Sequence, residues 1–167
     1  MAKNVGLIIS TLCFLAFASV IHCVPQKFNV EGKVYCDTCR VQFETRISQD
    51  LPGAIVQLNC RNIDNRTLTY SIQGVTEAGG RYSLTVEGDH EKDICDVTVV
   101  KSPREDCKET VAGLEKARVI CTSNVGIQGS TRHANPLFFM KDKADAECPK
   151  VMQEIAYIPE EGSDFHV

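Results

Sequence analysis

The sequence predicts an all-β fold of about seven short strands, a disulfide-tied barrel or sandwich with one short C-terminal helix. Three observations carry that expectation. Apolar and polar residues alternate with period two in short runs, turn-forming clusters separate the runs, and seven of the chain's nine cysteines follow an export-type leader that holds Cys13 and ends near Cys23.

The leader comes first. Lys3 gives a short positive region, an apolar run extends from Val5 to about Phe17, and small residues stand at Ala16 and Ala18. A run of this length is short for a bilayer, which needs roughly 20 apolar residues. Residues 1–23 therefore read as a secretory signal peptide cleaved between positions 18 and 24, and residues 24–167 as one β domain. No second run has spanning length, and "PEEGSDFHV" is neither an ER-retention signal nor a GPI-type tail. The expected product is secreted and extracellular, with no membrane span.

The strands follow in order. Phe28, Val30 and Val34 share one face of the first, and Val41, Phe43 and Ile47 suggest a second. Ala54, Val56, Leu58 and Cys60 form the next alternating set, then Leu68, Tyr70 and Ile72, then Tyr82, Leu84 and Val86. Cys95, Val97 and Val99 precede Ala117, Val119 and Cys121. Period two puts each set on one face and leaves Gln57, Thr69, Ser83 and Thr98 on the other. The separators, "LPGA", "RNIDNRT", "TEAGG", "EGDHEKD" and "KSPREDC", carry turn chemistry, and a hairpin accounts for the glycines of "GVTEAGGRY". Beyond Cys148, Pro149 suits a first helical position; Val151, Met152, Ile155 and Ile158 fall on one helical face before Pro159.

Charge and motifs narrow the function. The chain has 18 basic and 22 acidic side chains; loss of Lys3 with the leader leaves 17 against 22, a net charge of −5. That balance gives no long-range attraction for nucleic acid or an anionic membrane. His90, His133 and His166 lie in polar or terminal stretches, without a Gly-x-Ser-x-Gly elbow, a His-Glu-x-x-His pair or a phosphate-cradling loop. Glu87, Asp89, Glu91 and Asp93 surround His90 without EF-hand spacing, so they read as a solvated turn. The expectation is a non-enzyme with no catalytic residue, metal or cofactor.

The cysteines pose the sharpest question. In "EGKVYCDTCR" Cys36 and Cys39 stand three apart, a spacing used by redox dithiols, by zinc sites and by pairs of separate disulfides. Zinc needs a second close pair, and the remaining cysteines are isolated. A redox dithiol needs a helix N-terminus to lower the thiol pKa, and these flanks look extended. Two structural half-cystines with different partners remain, and six cysteines allow 15 pairings.

"EGKVYCDTCR" also resembles the signature of the pollen Ole e I family, extracellular proteins that include the major olive-pollen allergen. The similarity continues through "LPGAIVQLNCRN", "GDHEKDICDVTVV", "SPREDCKE" and "RHANPLFFM". The resemblance implies a β-barrel closed by three disulfides, Cys36 to Cys107, Cys39 to Cys148 and Cys60 to Cys95. Cys121 is left over. It reads as a buried free thiol, with a bond to Cys23 or an intermolecular bond as alternatives. Asn65-Arg66-Thr67 is an N-x-T sequon in a polar loop of an exported chain, which makes Asn65 the expected glycosylation site.

The resemblance further implies a pollen-wall or pollen-tube protein that engages the extracellular domain of a receptor-like kinase during pollen hydration and tube growth. The candidate face takes in the loop from Ser102 to Gly113 and the apolar run Leu137, Phe138, Phe139 and Met140, half of which also reads as a core strand. The alternative is an apoplastic, cell-wall-associated structural or carrier protein that binds polysaccharide or a small apolar ligand. No Trp and only four Tyr are present to stack on sugars, which weakens the carbohydrate version.

Overall fold

A computed structural model describes residues 26–156 of the chain. The expected leader and cleavage site, Ile158, Pro159 and His166 lie outside the described residues.

One long strand organises the first sheet. β1 (Lys27–Asp37) buries Phe28, Val30 and Val34 on its inner face, as its alternation predicts. Its N-terminal half pairs antiparallel with β5 (Arg81–Glu87) and parallel with β9 (Thr131–His133). Its C-terminal half pairs antiparallel with β2 (Gln49–Asp50) and parallel with β10 (Leu137–Lys141), which in turn carries β7 (Cys107–Glu109). The second sheet is antiparallel throughout, in the order β4 (Leu68–Val75), β3 (Ile55–Asn62), β6 (Asp93–Lys101), β8 (Lys116–Val119).

The facing sides of the two sheets make the core. Val56, Leu58 and Cys60 on β3, Leu84 and Val86 on β5, and Cys95 and Val97 on β6 are all nearly solvent-free. β4 lies at an edge, so Tyr70 and Ile72 are only partly covered and Leu68 is exposed. The two sheets do not close on one another among the described residues, so the fold is sandwich-like rather than the closed barrel that the resemblance implies.

Three local expectations are corrected. Val41, Phe43 and Ile47 do not form a strand, because Asp37 turns the chain. Its carboxylate accepts the N–H groups of Cys39 at 3.1 Å and Gln42 at 2.7 Å, and Arg40 and Gln42 adopt left-handed backbone at φ 59° and 67°. The segment "GVTEAGGRY" is a crossing between sheets rather than a hairpin, since β4 and β5 belong to different sheets. A short 3₁₀ turn, Ala78–Gly80, makes the crossing, and a Cβ on Gly80 would lie 2.2 Å from the Val34 carbonyl oxygen. With the strand at Val41, Phe43 and Ile47 lost, the short β2, β7 and β9 and the buried β10 bring the count among the described residues from about seven to ten.

Helix α1 (Cys148–Ala156) begins where Pro149 predicts, and it buries Val151. Arg46 forks onto Glu154 at 2.6 and 3.1 Å and links the helix to the turn region after β1.

Candidate interaction surface

The end of β1 is crosslinked to two distant segments. Cys36, still in the strand, is bonded to Cys107 at the start of β7, with Cα atoms 6.1 Å apart. Cys39, beyond the Asp37 turn, is bonded to Cys148 at the start of α1, 5.4 Å away. Cys60 and Cys95 face each other directly in the β3–β6 register and form the third bond, at 4.0 Å.

These bonds fix a charged loop face. Ser102 is buried, and its hydroxyl accepts the Arg104 N–H. Arg104 forks onto Asp106 at 2.9 and 2.6 Å and donates to the Gln49 side chain. Arg40 forks onto Glu109 at 2.6 and 3.0 Å and reaches the Lys141 carbonyl, while Lys108 pairs with Glu105 at 2.7 Å. Each partner cation holds its carboxyl, Asp106, Glu109 or Glu105, below the usual carboxylate range. Such exposed pairs contribute little stability individually, and the two bidentate arginine forks are the ones whose geometry is defined.

The apolar half of the expected face is not available to a partner. Leu137 and Phe139 enter the core, while Phe138 and Met140 pack on the other side of the sheet with Tyr35, beneath Val111. All four are buried because β10 is covered on both faces. Tyr35 and Phe138 lie 5.7 Å apart between ring centroids, and burial, followed by the charges of Asp37 and Glu44, pushes the Tyr35 phenol up to about 12.

Other predicted positions separate clearly. Asn65 is exposed in the β3–β4 turn, where its amide oxygen accepts from the Thr67 N–H at 3.0 Å and the Thr67 hydroxyl at 2.7 Å. Cys121 is buried just past β8 and has no disulfide partner among the described residues, which do not include Cys23; burial pushes its thiol up to about 11 against the lowering charge of Arg132. At neutral pH it is therefore protonated and a weak nucleophile. Glu87, Asp89, Glu91, Asp93 and His90 form a hydrogen-bonded turn: Asp93 accepts from His90 at 2.9 Å and Thr69 at 2.7 Å, and Asp89 accepts from Ser123 at 2.9 Å. Burial by itself would raise the Asp93 carboxyl, but the His90 and Thr69 hydrogen bonds and the His90 charge together hold it low. His90 also stands close to Cys60 and Cys95, whose sulfurs are bonded to each other and are not free thiolate ligands.

Two features were not legible in the sequence. Arg132 is 4% exposed, and its guanidinium donates to the carbonyls of Ile120, Thr122, Gly129 and Thr131 while stacking 4.7 Å from the Phe28 ring centroid. A cleft of about 470 Å³ also opens over Tyr82, whose buried hydroxyl has no hydrogen-bond partner among the described residues. Its rim carries Glu31, Glu77, Arg81 and His133, which suits a polar ligand better than the small apolar one considered from sequence. Among the described residues no helix is long and apolar enough to cross a membrane.

Comparison with known proteins gives the family. Residues 26–156 match the family described as "Pollen protein Ole e 1 like". The anther-specific protein LAT52 of Solanum lycopersicum is 58% identical over 159 residues, covering 95% of this chain and 98% of that one. The pollen allergen Che a 1 of Chenopodium album is 45% identical over 156 residues, covering 92% and 93% respectively. The crystal structure of the major plantain pollen allergen Pla l 1 superposes with a TM-score of 0.66 at 38% identity, over 73% of this chain and 99% of that one. These relatives are named as pollen and anther proteins or allergens, not as enzymes. The chain belongs to the pollen Ole e 1 family.

Proposed function

We propose that the protein is a secreted, non-enzymatic pollen glycoprotein whose loop face acts as a ligand for the extracellular domain of a receptor-like kinase, in support of pollen hydration and tube growth. One observation carries this reading: the loop from Ser102 to Gly113 is tied to β1 through Cys36–Cys107 and held by the Arg104–Asp106 and Arg40–Glu109 forks. A face ordered before contact loses little conformational freedom on binding, which favours affinity per unit area. The pollen and anther names of the relatives support the setting, and disulfides favour an oxidising compartment. Asn65 is the proposed glycan site, exposed on its turn and away from β7 in sequence.

The test is direct binding of the protein secreted from plant cells to a panel of pollen receptor-kinase ectodomains. We expect saturable binding by at least one, weakened about tenfold or more by the double charge reversal Arg104→Glu and Lys108→Glu. A panel without binders, or an unaffected reversal variant, would sink the reading. Unreduced intact and peptide mass spectrometry of the same material should find an N-terminus between residues 19 and 24 and a glycan on Asn65. An intact leader, or an unmodified Asn65, would remove the corresponding part.

A further inference from the structure

The net negative charge is an average that conceals a basic surface. On the outer face of the second sheet lies a shallow groove of about 380 Å³ lined by Arg61, Arg66, Lys116 and Arg118, with Asp96 as its one carboxylate. Register explains the cluster. Arg61 on β3 stands beside Ile94 on β6, while Asp96 and Thr98 stand beside Arg118 and Lys116 on β8, so alternation brings all these side chains to one face. Arg118 neutralises Asp96 at 2.6 Å, whereas Arg61, Arg66 and Lys116 have no ion pair among the described residues. Three uncompensated cations thus share an exposed face of a chain whose net charge is −4. At physiological ionic strength the screening length is about 8 Å, so a ligand on this face meets the local cations far more than the distant acids.

We propose that this groove binds an acidic polysaccharide, a polymer bearing uronate carboxylates. Charge complementarity selects a polyanion, and the composition of the face selects a hydrophilic one. A protein partner is usually anchored by aromatic or large apolar side chains in a desolvated centre, and this groove offers only Ile94. It supplies instead the hydrogen-bonding side chains of Asn59 and Thr98 between the cations. Lys116 and Arg118 stand two residues apart on one strand, roughly 7 Å, and Arg61, two strands across and two residues further along, stands roughly 12 Å from Arg118. That spread suits repeated carboxylates along a chain rather than one small anion. Recognition by charge also requires no stacking platform, so the scarcity of aromatic residues does not count against it. The groove is formed by strands other than those of the Ser102–Gly113 face, and the inference does not rest on receptor binding.

The test is titration of the secreted protein with polygalacturonate, with its fully methyl-esterified form and with poly-glutamate, in buffer containing a calcium chelator. We expect saturable binding to polygalacturonate alone, weakened at least about tenfold between about 50 and about 500 mM NaCl. The double variant Arg61→Glu and Lys116→Glu should lose about tenfold or more in affinity while keeping the wild-type melting temperature. Arg61→Lys and Lys116→Arg, which keep the charge, should restore most of the binding. Equal binding of the esterified polymer would overturn a charge-based site, and tighter binding of poly-glutamate would assign the groove to an acidic protein instead. No binding, or an unaffected double variant, would also overturn it. Should the double variant lose its fold, Arg66→Gln on the exposed turn gives the same readout with a smaller loss.

Discussion

Replacing Arg132 by Met removes the side chain that ties the 120–131 segment to the first sheet. Its guanidinium serves four carbonyls, at 2.9 Å to Ile120 and Gly129 and 3.1 Å to Thr122 and Thr131. Charged hydrogen bonds contribute about 1.5–3 kcal/mol each, which taken singly would total about 6–12 kcal/mol. The true loss is smaller, because residues 123–130 are exposed and their carbonyls can turn to water. Thr122 is buried and cannot do so without opening the chain, and the stacking on Phe28 is lost as well. We expect a net loss of about 3–5 kcal/mol, or roughly 12–20 °C in Tm for a domain of this size. Arg132→Lys should fall between, since one ammonium cannot span four carbonyls in a plane. The assay is urea unfolding with disulfides intact, together with amide exchange. Exchange should rise across residues 120–131 while the β3–β6 ladder stays protected, and the Cys121 thiol should become reactive. A loss below about 1 kcal/mol, or exchange raised evenly over the molecule, would refute the clamp.

The other perturbations probe separate parts of the fold. Gly80→Ala places a methyl group 2.2 Å from the Val34 carbonyl at φ 67°, and should cost about 3 kcal/mol by chemical denaturation; a wild-type midpoint would show that the crossing tolerates a side chain. Removing Cys60–Cys95, 35 residues apart, should cost about 4 kcal/mol, and removing Cys39–Cys148, 109 apart, about 5 kcal/mol with release of α1; helical exchange unchanged in the second variant would contradict the tether. Asp93 has a lowered folded pKa, so its contribution is present above the unfolded value near 3.8 and is lost as pH falls through the folded one. Asp93→Asn should flatten that part of the stability–pH curve, and an unchanged acid slope would show that other carboxylates set it.

Alternation was readable wherever a strand was long and covered on one face. Val56, Leu58 and Cys60, or Tyr82, Leu84 and Val86, sit on the face that period two assigns them. Periodicity was silent where other physics decided the path of the chain. β10 shows four consecutive buried apolar residues because both of its faces are covered, so the run looked like a candidate surface. β2, β7 and β9 have two or three residues each, too few for any period to register. Val41, Phe43 and Ile47 alternate, but two hydrogen bonds to Asp37 outweigh the pattern. Arg132 defeats composition-based reading altogether, since its burial depends on four carbonyls brought together by the tertiary fold. The basic groove was equally invisible, because Arg61 and Arg118 are far apart in sequence and meet only through the β3–β6–β8 register.

The separate fates of Cys36 and Cys39 follow from the residue between them that turns the chain. In an unbroken strand, residues three apart would point to opposite faces and both would stay beside the sheet. Asp37 ends the strand one residue after Cys36, so Cys36 remains in the ladder and meets β7, while Cys39 is carried past the turn toward α1. The Asp37 turn thereby joins three distant parts of the chain at one end of β1. Its carboxylate organises the backbone locally, and the disulfides limit how far the loop face and the helix can depart from it when the chain unfolds. Loop entropy makes the Cys39–Cys148 link the more consequential of the two for chain dimensions, while Cys36–Cys107 bears directly on the geometry of the charged face. Order in that face is therefore coupled to redox conditions through Cys36–Cys107, and the groove on the second sheet is coupled to them through Cys60–Cys95. Reduction would therefore loosen both surfaces together, each through its own disulfide.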